Sequence, residues 1–374
     1  FNKTNCEFKP LYKNLIDKIW SRKIKKNKNK FFVLPKSSVE IDYRTKLNKV
    51  VSYLKRKGGD FQFVSASENN AWLLNIRGND TEYSPIPHSY ILINQKKKIK
   101  LFCDLKKISN IFKNNFKNIE FHEIDTISHI LTNINNKNFF VDKDTCSFYF
   151  EKLILKNNKI INDQDPIYNF KAIKNKREIE NMKLAHVYDG SALTKYLFWL
   201  KKNFKKKVIT ELSGSQKLYQ FRKVNKKFKF SSFPTISGTG PNGAIIHYKA
   251  TRYSNRKLKN GDIYLVDSGG QYEYGTTDVT RTISLNNSSE KVKNIYTRVL
   301  KGHIAVANFK LKKNTSGSII DNKARQFLKQ IGLNYSHGTG HGVGYFLNVH
   351  EGPQAISKNN KVKIKEGMIL SNEP

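Results

Sequence analysis

The spacing of hydrophobic residues changes several times along the chain and predicts alternating helices and strands. Between residues 39 and 165 it predicts a helix over 44–56 and an amphipathic segment near 127–133, with strands at 61–64, 90–93, 99–102 and 139–141. Such alternation is typical of α/β folds. We therefore expect an α/β domain over residues 38–166, with no evident chemical motif of its own.

A polar break at residues 162–166 separates this region from a second one. Hydrophobic residues then recur with helical spacing from 175 to 200, and further helices are predicted over 211–224, 289–309 and 318–332. We expect a second domain of mixed α and β structure, α/β (α+β) as a whole, over residues 167–374. Residues 1–37 are polar and lysine-rich apart from an amphipathic stretch at 11–20, and are expected to be a linker or the end of a preceding domain.

Two carboxylates interrupt an apolar and threonine-rich segment of the second domain. Residues 263–266 predict a buried strand, residues 277–283 alternate like a strand, and glycines between them favour a hairpin. A turn near Tyr272 and Glu273 would place Asp267 and Asp278 opposite each other, with their Cβ atoms about 5 Å apart. Two buried anions at that distance repel, so either one is protonated or a multivalent cation lies between them.

Charge suggests a polyanionic partner at first sight, but its distribution argues against one. The 374-residue chain carries 68 Lys and Arg against 30 Asp and Glu, a formal net charge of +38. Basicity of this size is often associated with nucleic acids or anionic membranes. Here the excess is lysine, spread over the whole chain, which favours a solvated surface. We expect neither a nucleic-acid nor a membrane partner.

Cysteine usage and the chain ends give two further expectations. Cys6, Cys103 and Cys146 are far apart and odd in number, which favours free thiols in a reducing cytoplasm. The sequence contains no apolar run of about 20 residues, the length of a membrane span. It begins at Phe1 and stops just after the apolar, strand-like run 367–370, so we expect a fragment.

Four histidines lie in unusual short contexts and are candidates for chemistry. They are His247, His337, His341 and His350. The spacing of His337 and His341 resembles a helical HExxH zinc motif, but the intervening glycines are poor helix formers and no Glu lies between the histidines. We predict instead a strand or loop whose glycines allow close backbone packing. The G-x-G-x-x-G match at 238–243 is followed by a strand-like run rather than a helix, so no nucleotide cofactor is expected.

Glu373 follows a further apolar run and gains significance from the other candidates. Asp267, Asp278, His341 and Glu373 together form an oxygen-rich set with one imidazole. Such ligands suit Mn(II), Co(II) or Fe(II) better than a thiolate-based structural zinc site. The residues themselves do not decide between this metal set and a proton-sharing carboxylate pair.

Longer runs within the sequence have a recognisable family pattern. The chain resembles the pita-bread metallopeptidases, and within them the aminopeptidase P family of cytosolic three-domain Xaa-Pro aminopeptidases, over residues 39–374. The matching stretches are 71–80 (AWLLNIRGND), 233–248 (FPTISGTGPNGAIIHY), 265–282 and 335–353 (YSHGTGHGVGYFLNVHEGP). The resemblance implies a creatinase-type N-terminal domain followed by a truncated pita-bread catalytic domain, with most of a first domain absent.

The resemblance also implies a dinuclear metal site. It makes Asp267 a ligand of one metal, Asp278 a bridge between two, and His341 and Glu373 ligands of the other, with a further bridging Glu expected beyond Pro374. The implied cofactors are two divalent ions, preferably Mn(II), with Co(II) or Zn(II) as alternatives. A metal-bridged hydroxide would then cleave the peptide bond, with Glu373 transferring protons.

The remaining histidines match positions that contact substrate in this family. The resemblance implies that His247, His337 and His350 are catalytic, and that His350 or His337 stabilises the oxyanion. It further implies peptide substrates with Pro in the second position and a homodimer.

Two alternatives remain. A Xaa-Pro dipeptidase, similar to prolidase, would share every metal ligand. A non-catalytic pita-bread module that binds macromolecules would typically lack those ligands, whereas here each expected position within the chain is filled.

Overall fold

The computed structural model describes residue 11, residues 14–20 and residues 28–374. Cys6, residues 12–13 and residues 21–27 of the lysine-rich N-terminal stretch lie outside this part of the chain. The predicted amphipathic stretch at 11–20 contains one short helix, α1 (Ile16–Ile19), which buries none of its residues. Cys103 and Cys146 are buried free thiols, as expected.

The N-terminal region contains an α/β unit built on a six-stranded sheet. Its strands are β1 (Phe32–Val33), β2 (Phe61–Val64), β3 (Ile76–Arg77), β4 (Tyr90–Asn94), β5 (Ile99–Cys103), β6 (Ile119–Glu123), β7 (Asn138–Val141) and β8 (Lys159–Asn162). The sheet order is β6-β5-β4-β2-β7-β8, while β1 pairs with β3 separately. The helices of this region are α2 (Tyr43–Arg56), α3 (Ser67–Leu74), α4 (Asn110–Asn114), α5 (Ile127–Thr132), α6 (Phe148–Leu155) and α7 (Pro166–Ala172).

Both faces of the large sheet are covered by helices, which explains its nearly continuous apolar strands. Ile91 and Ile93 of β4 belong to a core cluster shared with α2 and α3. Leu92, between them, points to the opposite face and packs in a cluster with residues of α5 and α6. The predicted helix at 44–56 and the four predicted strands are confirmed, each to within a few residues.

The C-terminal region begins with a long helix and combines several small sheets. Its helices are α8 (Lys176–Asn203), α9 (Glu211–Lys223), α10 (Glu290–Ala307) and α11 (Gly317–Lys329). Its strands are β9 (Phe228–Ser231), β10 (Ile236–Thr239), β11 (Ile263–Ser268), β12 (Gly270–Tyr272), β13 (Gly275–Thr276), β14 (Val279–Ser284), β15 (Gly340–Gly342) and β16 (Glu351–Ile356). The sheets are β10-β11-β14, β13-β12-β9 and β15-β16. The four helices predicted from spacing are all present.

A capping box explains where α8 starts. Asn175 accepts a hydrogen bond from the Glu178 N–H, and the Glu178 carboxylate accepts one from the Asn175 N–H. These two bonds satisfy donors that a helix start otherwise leaves free. The helix then buries Leu193, Tyr196 and Leu200 against α9 and β11.

A buried arginine connects the two regions. Arg77 of β3 is 1% exposed and donates from its guanidinium to the carbonyl oxygens of Tyr345 (2.9 Å) and Phe346. Both acceptors lie between β15 and β16, so the N-terminal region supports the segment that joins those strands. Among the described residues, no helix combines the length and the apolar character required to cross a bilayer.

Candidate metal centre

The alternation of side chains along β11 explains why one carboxylate faces away from the core. Tyr264 and Val266 are completely buried in the cluster that β11 shares with α8 and α9. Asp267, the next residue, therefore points to the opposite face of the sheet, because successive strand residues alternate. That face carries the candidate metal centre.

The predicted hairpin exists, but its predicted register is wrong. Tyr272 pairs with Gly275 across the turn, and Asp267 lies opposite Thr280 rather than opposite Asp278. The turn centre thus lies one residue later than expected, and Asp278 immediately precedes β14. The two carboxylates are diagonal neighbours, a relation in which side chains still interact.

Glycines bring His341 and Glu373 to the same face. A Cβ at Gly340 would come within 2.1 Å of the Ser371 carbonyl oxygen, and one at Gly342 within 2.2 Å of the Glu351 carbonyl oxygen. Such approaches are open to glycine alone. The prediction of a strand or loop with closely packed glycines is confirmed. The apolar run before Glu373, predicted to be a strand, makes only isolated bridges at Met368 and Leu370.

Three of the four predicted ligands meet in one cluster. The Nε2 atom of His341 lies 3.2 Å from Asp278 Oδ2 and 3.1 Å from Glu373 Oε1. One donor atom from each of these residues lies within 4.8 Å of the others. Burial lowers the pKa of His341, but hydrogen bonds to the two carboxylates outweigh it and raise the pKa to about 10. The Nε2 proton of the imidazolium thus lies where a cation bound by the three residues would lie.

Asp267 borders this cluster and has an atom that needs a partner. Its Oδ1 is buried and has no hydrogen-bond partner. Burial, together with the negative charge of Asp278, raises the pKa of Asp267 to about 7. A buried carboxylate oxygen with no donor is costly unless a cation or a proton satisfies it.

The tautomer of His341 also suits a metal. Its Nδ1 lies 2.9 Å from the Gly342 carbonyl oxygen, which can only accept, so Nδ1 carries the proton. Once the imidazolium gives up its Nε2 proton to make room for a cation, Nε2 is the atom available as a ligand. A backbone carbonyl on the other ring nitrogen is the usual partner of a metal-binding histidine. Together with the free Asp267 oxygen, this arrangement fits divalent cations.

The three other histidines take different positions. The His350 ring packs edge-on against His341, with ring centroids 4.1 Å apart. Burial and the charge of His341 lower the pKa of His350, and the charge of His247 contributes to the same shift. His337 instead stacks on Tyr335 at 4.7 Å. The structure thus brings His350 against the cluster and His247 into its electrostatic range, whereas the observed contacts of the His337 ring are with its own loop.

Two supporting elements were not predicted from the sequence. Ser371 donates to Glu373 Oε1 (2.6 Å) and accepts from the His341 N–H (2.9 Å), so it orients both ligand candidates. Its position two residues before Glu373, on the same side of an extended run, is the signal that the sequence offered.

The second element is a buried ion pair behind the hairpin. Arg222 binds both oxygens of Asp189 (2.6 and 3.0 Å) and donates to Ser268 Oγ (3.0 Å), while the Tyr272 hydroxyl donates to Asp189 (2.8 Å). Because Ser268 follows Asp267, this network fixes the end of β11. It depends on residues far apart in sequence and leaves no pattern in any single segment.

Two family profiles match the chain and together cover most of it. Metallopeptidase family M24 matches residues 180–374, and the Creatinase/Prolidase N-terminal domain matches residues 22–178.

Individual relatives agree with these profiles. A probable Xaa-Pro aminopeptidase P of Laccaria bicolor is 38% identical over 97% of this chain and 58% of its own length. A Xaa-Pro aminopeptidase of Drosophila melanogaster is 37% identical over 99% of this chain and 62% of its own length. The chain therefore spans about three fifths of the curated relatives that it matches.

Solved structures show the same fold. An X-prolyl aminopeptidase from Caenorhabditis elegans, described as a cytosolic enzyme with a di-nuclear active site, has a TM-score of 0.89 and 31% identity over 97% of this chain and 60% of that one. Prolidase from Pyrococcus furiosus has a TM-score of 0.69 at 24% identity, over 86% and 89% of the two chains, which is a likeness of fold.

Proposed function

Since the chain belongs to metallopeptidase family M24, and carries a creatinase-type N-terminal domain before a pita-bread domain, we propose that it hydrolyses the N-terminal Xaa-Pro bond of peptides. The observation that carries this proposal is the cluster of Asp278, His341 and Glu373, bordered by the unsatisfied oxygen of Asp267. Relatives named Xaa-Pro aminopeptidases, at 36–38% identity across nearly the whole chain, support the choice of reaction.

The proposed metal ligands are Asp267, Asp278, His341 and Glu373. Divalent cations bound there would lower the pKa of a water molecule and polarise the scissile carbonyl. Glu373 would accept the proton of that water, since its carboxylate lies against His341 Nε2, where the cations would bind. Although burial opposes it, hydrogen bonds from His341 and Ser371 keep the pKa of Glu373 below its usual value, so its carboxylate is ionised near pH 7.

The proposed substrate contacts come from the histidines. His350 has a lowered pKa and is therefore neutral near pH 7, with one N–H to donate to the developing oxyanion. His247 is exposed beside the cluster, where an incoming peptide can meet it. His337 keeps its proposed catalytic role, although its observed stacking on Tyr335 means that it would act from the rim.

Several finer assignments belong to the same proposal. We assign Mn(II) as the preferred metal, since three of the four ligands are carboxylates. We also propose a homodimer in the cytoplasm. The predicted domain boundary near residue 166 is kept, although Ile167 at the start of α7 packs in the core cluster of the N-terminal region.

The test combines metal content with peptide cleavage. The protein should release the first residue of an Arg-Pro-Pro tripeptide and contain bound metal by elemental analysis. Asp278→Asn should lose both properties. His247→Ala should keep the metal and lose about 100-fold or more in turnover, the usual contribution of a positioned acid or base. The matched control is His122→Ala, which removes a partly exposed histidine of β6 in the N-terminal region.

Each outcome separates one alternative. Metal content near that of the unmodified protein in Asp278→Asn would remove this residue from the ligand set. Faster cleavage of a Xaa-Pro dipeptide than of the tripeptide would favour a dipeptidase. Absence of cleavage with either substrate, despite bound metal, would contradict the proposed function.

A further inference from the structure

The loop that carries His247 has little regular structure of its own. Residues 240–256, here called the His247 loop, contain a single 3₁₀ turn at Gly240–Ala244. Ile245 and Ile246 are about half exposed, at 52% and 53%. His247 has a backbone φ of 54°, a value that residues other than glycine seldom adopt. Contacts made by residues outside 245–247 must therefore hold this part of the loop in its conformation.

One buried carboxylate contacts both ends and the middle of this loop. Glu211, the first residue of α9, is completely buried. Its Oε1 accepts from the Thr239 N–H (2.8 Å) and from Asn242 Nδ2 (3.0 Å). Its Oε2 accepts from the Tyr248 hydroxyl (2.9 Å) and the Arg256 N–H (2.9 Å). Tyr248 is the residue directly after His247.

The contacts require an acceptor at both carboxylate oxygens. Two of the four donors are backbone N–H groups and one is an amide nitrogen, none of which can accept. An amide in place of the carboxylate would turn one oxygen into a donor, and at least one backbone N–H at a loop end would lose its partner. Leaving a buried donor without a partner costs about 1–3 kcal/mol.

We propose that Glu211 is a positioning residue of the reaction: by fixing Thr239, Tyr248 and Arg256, it holds the imidazole of His247 in place for substrate. Glu211 acts through the loop and does not touch substrate itself. The inference rests on the proposed function for its consequence in catalysis, but its structural half is testable without any activity.

Hydrogen exchange tests the structural half. Glu211→Gln should raise amide exchange at Thr239, Arg256 and across the His247 loop by about tenfold or more, because local opening becomes easier there. The matched control is Asp165→Asn, which alters another buried carboxylate that accepts from two side-chain amides and a backbone N–H, outside the His247 loop. Exchange in the loop should not change in that control.

A double-mutant cycle tests the catalytic half. With His247 present, Glu211→Gln should lower kcat/KM by about tenfold or more, whereas in the His247→Ala background the same change should cost no more than about twofold, since coupled residues are not additive. Equal losses in both backgrounds would overturn the inference, as would unchanged exchange in the loop.

A milder variant keeps the inference testable if Glu211→Gln fails to fold. Tyr248→Phe removes one of the four donors and leaves Glu211 in place; it should show the same loop-specific exchange and the same coupling to His247, each smaller in size. If the unmodified protein did not cleave Xaa-Pro peptides, the proposed function would fail while the exchange data still decided whether Glu211 holds the loop.

Discussion

Replacing Arg222 by Met removes one half of the buried ion pair behind the metal-site hairpin. The side chains of Arg222 and Asp189 are only 1% and 2% exposed. Methionine replaces the aliphatic part of the side chain but ends level with Nε, short of the guanidinium nitrogens. It leaves the Asp189 carboxylate buried with the Tyr272 hydroxyl as its remaining donor. The main perturbation is therefore an uncompensated buried charge, with a smaller loss of packing where the guanidinium was.

The expected cost follows from that geometry. Removing one partner of a buried, bidentate pair typically lowers the free energy of unfolding by about 3–5 kcal/mol. For a domain of roughly 150–250 residues, each kcal/mol shifts the melting temperature by about 2–4 °C. Arg222→Met should therefore lower the melting temperature of the transition that includes α8 and β12 by roughly 6–20 °C.

Differential scanning calorimetry measures this shift, and two variants make the result specific. Arg177→Met removes a half-exposed arginine whose pair with Glu180 is loose, at 3.8 Å, and should cost less than about 1 kcal/mol. Adding Asp189→Asn to Arg222→Met removes the stranded charge and should recover part of the loss. A melting temperature for Arg222→Met within about 2 °C of that for Arg177→Met would refute the reasoning.

Two further predictions concern the N-terminal region and the strand pair β15-β16. Burial raises the pKa of Asp165 from 3.8 to about 6, so the folded protein keeps a proton that the unfolded chain has already lost. The contribution of Asp165 to the free energy of unfolding is therefore fully present at low pH and is lost as the pH rises through about 6. Between about pH 4 and 7, this group should lower the free energy of unfolding by about 3 kcal/mol, and Asp165→Asn should remove that fall. Urea unfolding at a series of pH values measures it. The amide is tolerable because Gln62 Oε1 and Asn69 Oδ1 lack donors and can turn towards it; an unchanged profile would contradict this account. Gly342→Ala places a Cβ within 2.2 Å of a carbonyl oxygen of β16 and should destabilise the protein by about 1–3 kcal/mol. Gly190→Ala, whose Cβ meets nothing within 4 Å, is the control, and equal stability of the two variants would contradict the close packing.

Spacing and motif predicted the parts of this protein whose determinants are local. The helix α8 has a capping box and a regular apolar stripe within one segment, and the strands of the large sheet are bounded by turn residues. Asp278, His341 and Glu373, which the sequence predicts as ligands, lie together in the fold. Their assignment as ligands remains a prediction until metal is measured.

The register of the hairpin and the role of Glu211 depend on contacts between segments, which the sequence of one segment does not reveal. A shift of one residue in the turn moves Asp267 from a position opposite Asp278 to one opposite Thr280, and the glycines of that segment allow either turn. Glu211 is equally hidden: as an acid at the first position of a helix it has an ordinary local role near the helix dipole. Only the fold brings the loop ends at Thr239 and Arg256 to it.

Buried charge takes the place of apolar packing beside three segments that carry candidate residues. Glu211 holds the His247 loop, and Arg222 holds the end of β11. Arg325 donates to the carbonyl oxygens of Tyr335 and His337 (both 2.6 Å) and so fixes the backbone of the loop that carries His337. Short polar and glycine-rich loops offer few apolar side chains to pack, so directional bonds to a carboxylate or guanidinium are the means left to fix them. Such groups are costly to bury and are tolerated only when each donor and acceptor is met. Loss of one partner should therefore disorder the loop or strand end that it holds. Local hydrogen exchange then shows which of the three segments has lost its support, even where global stability also falls.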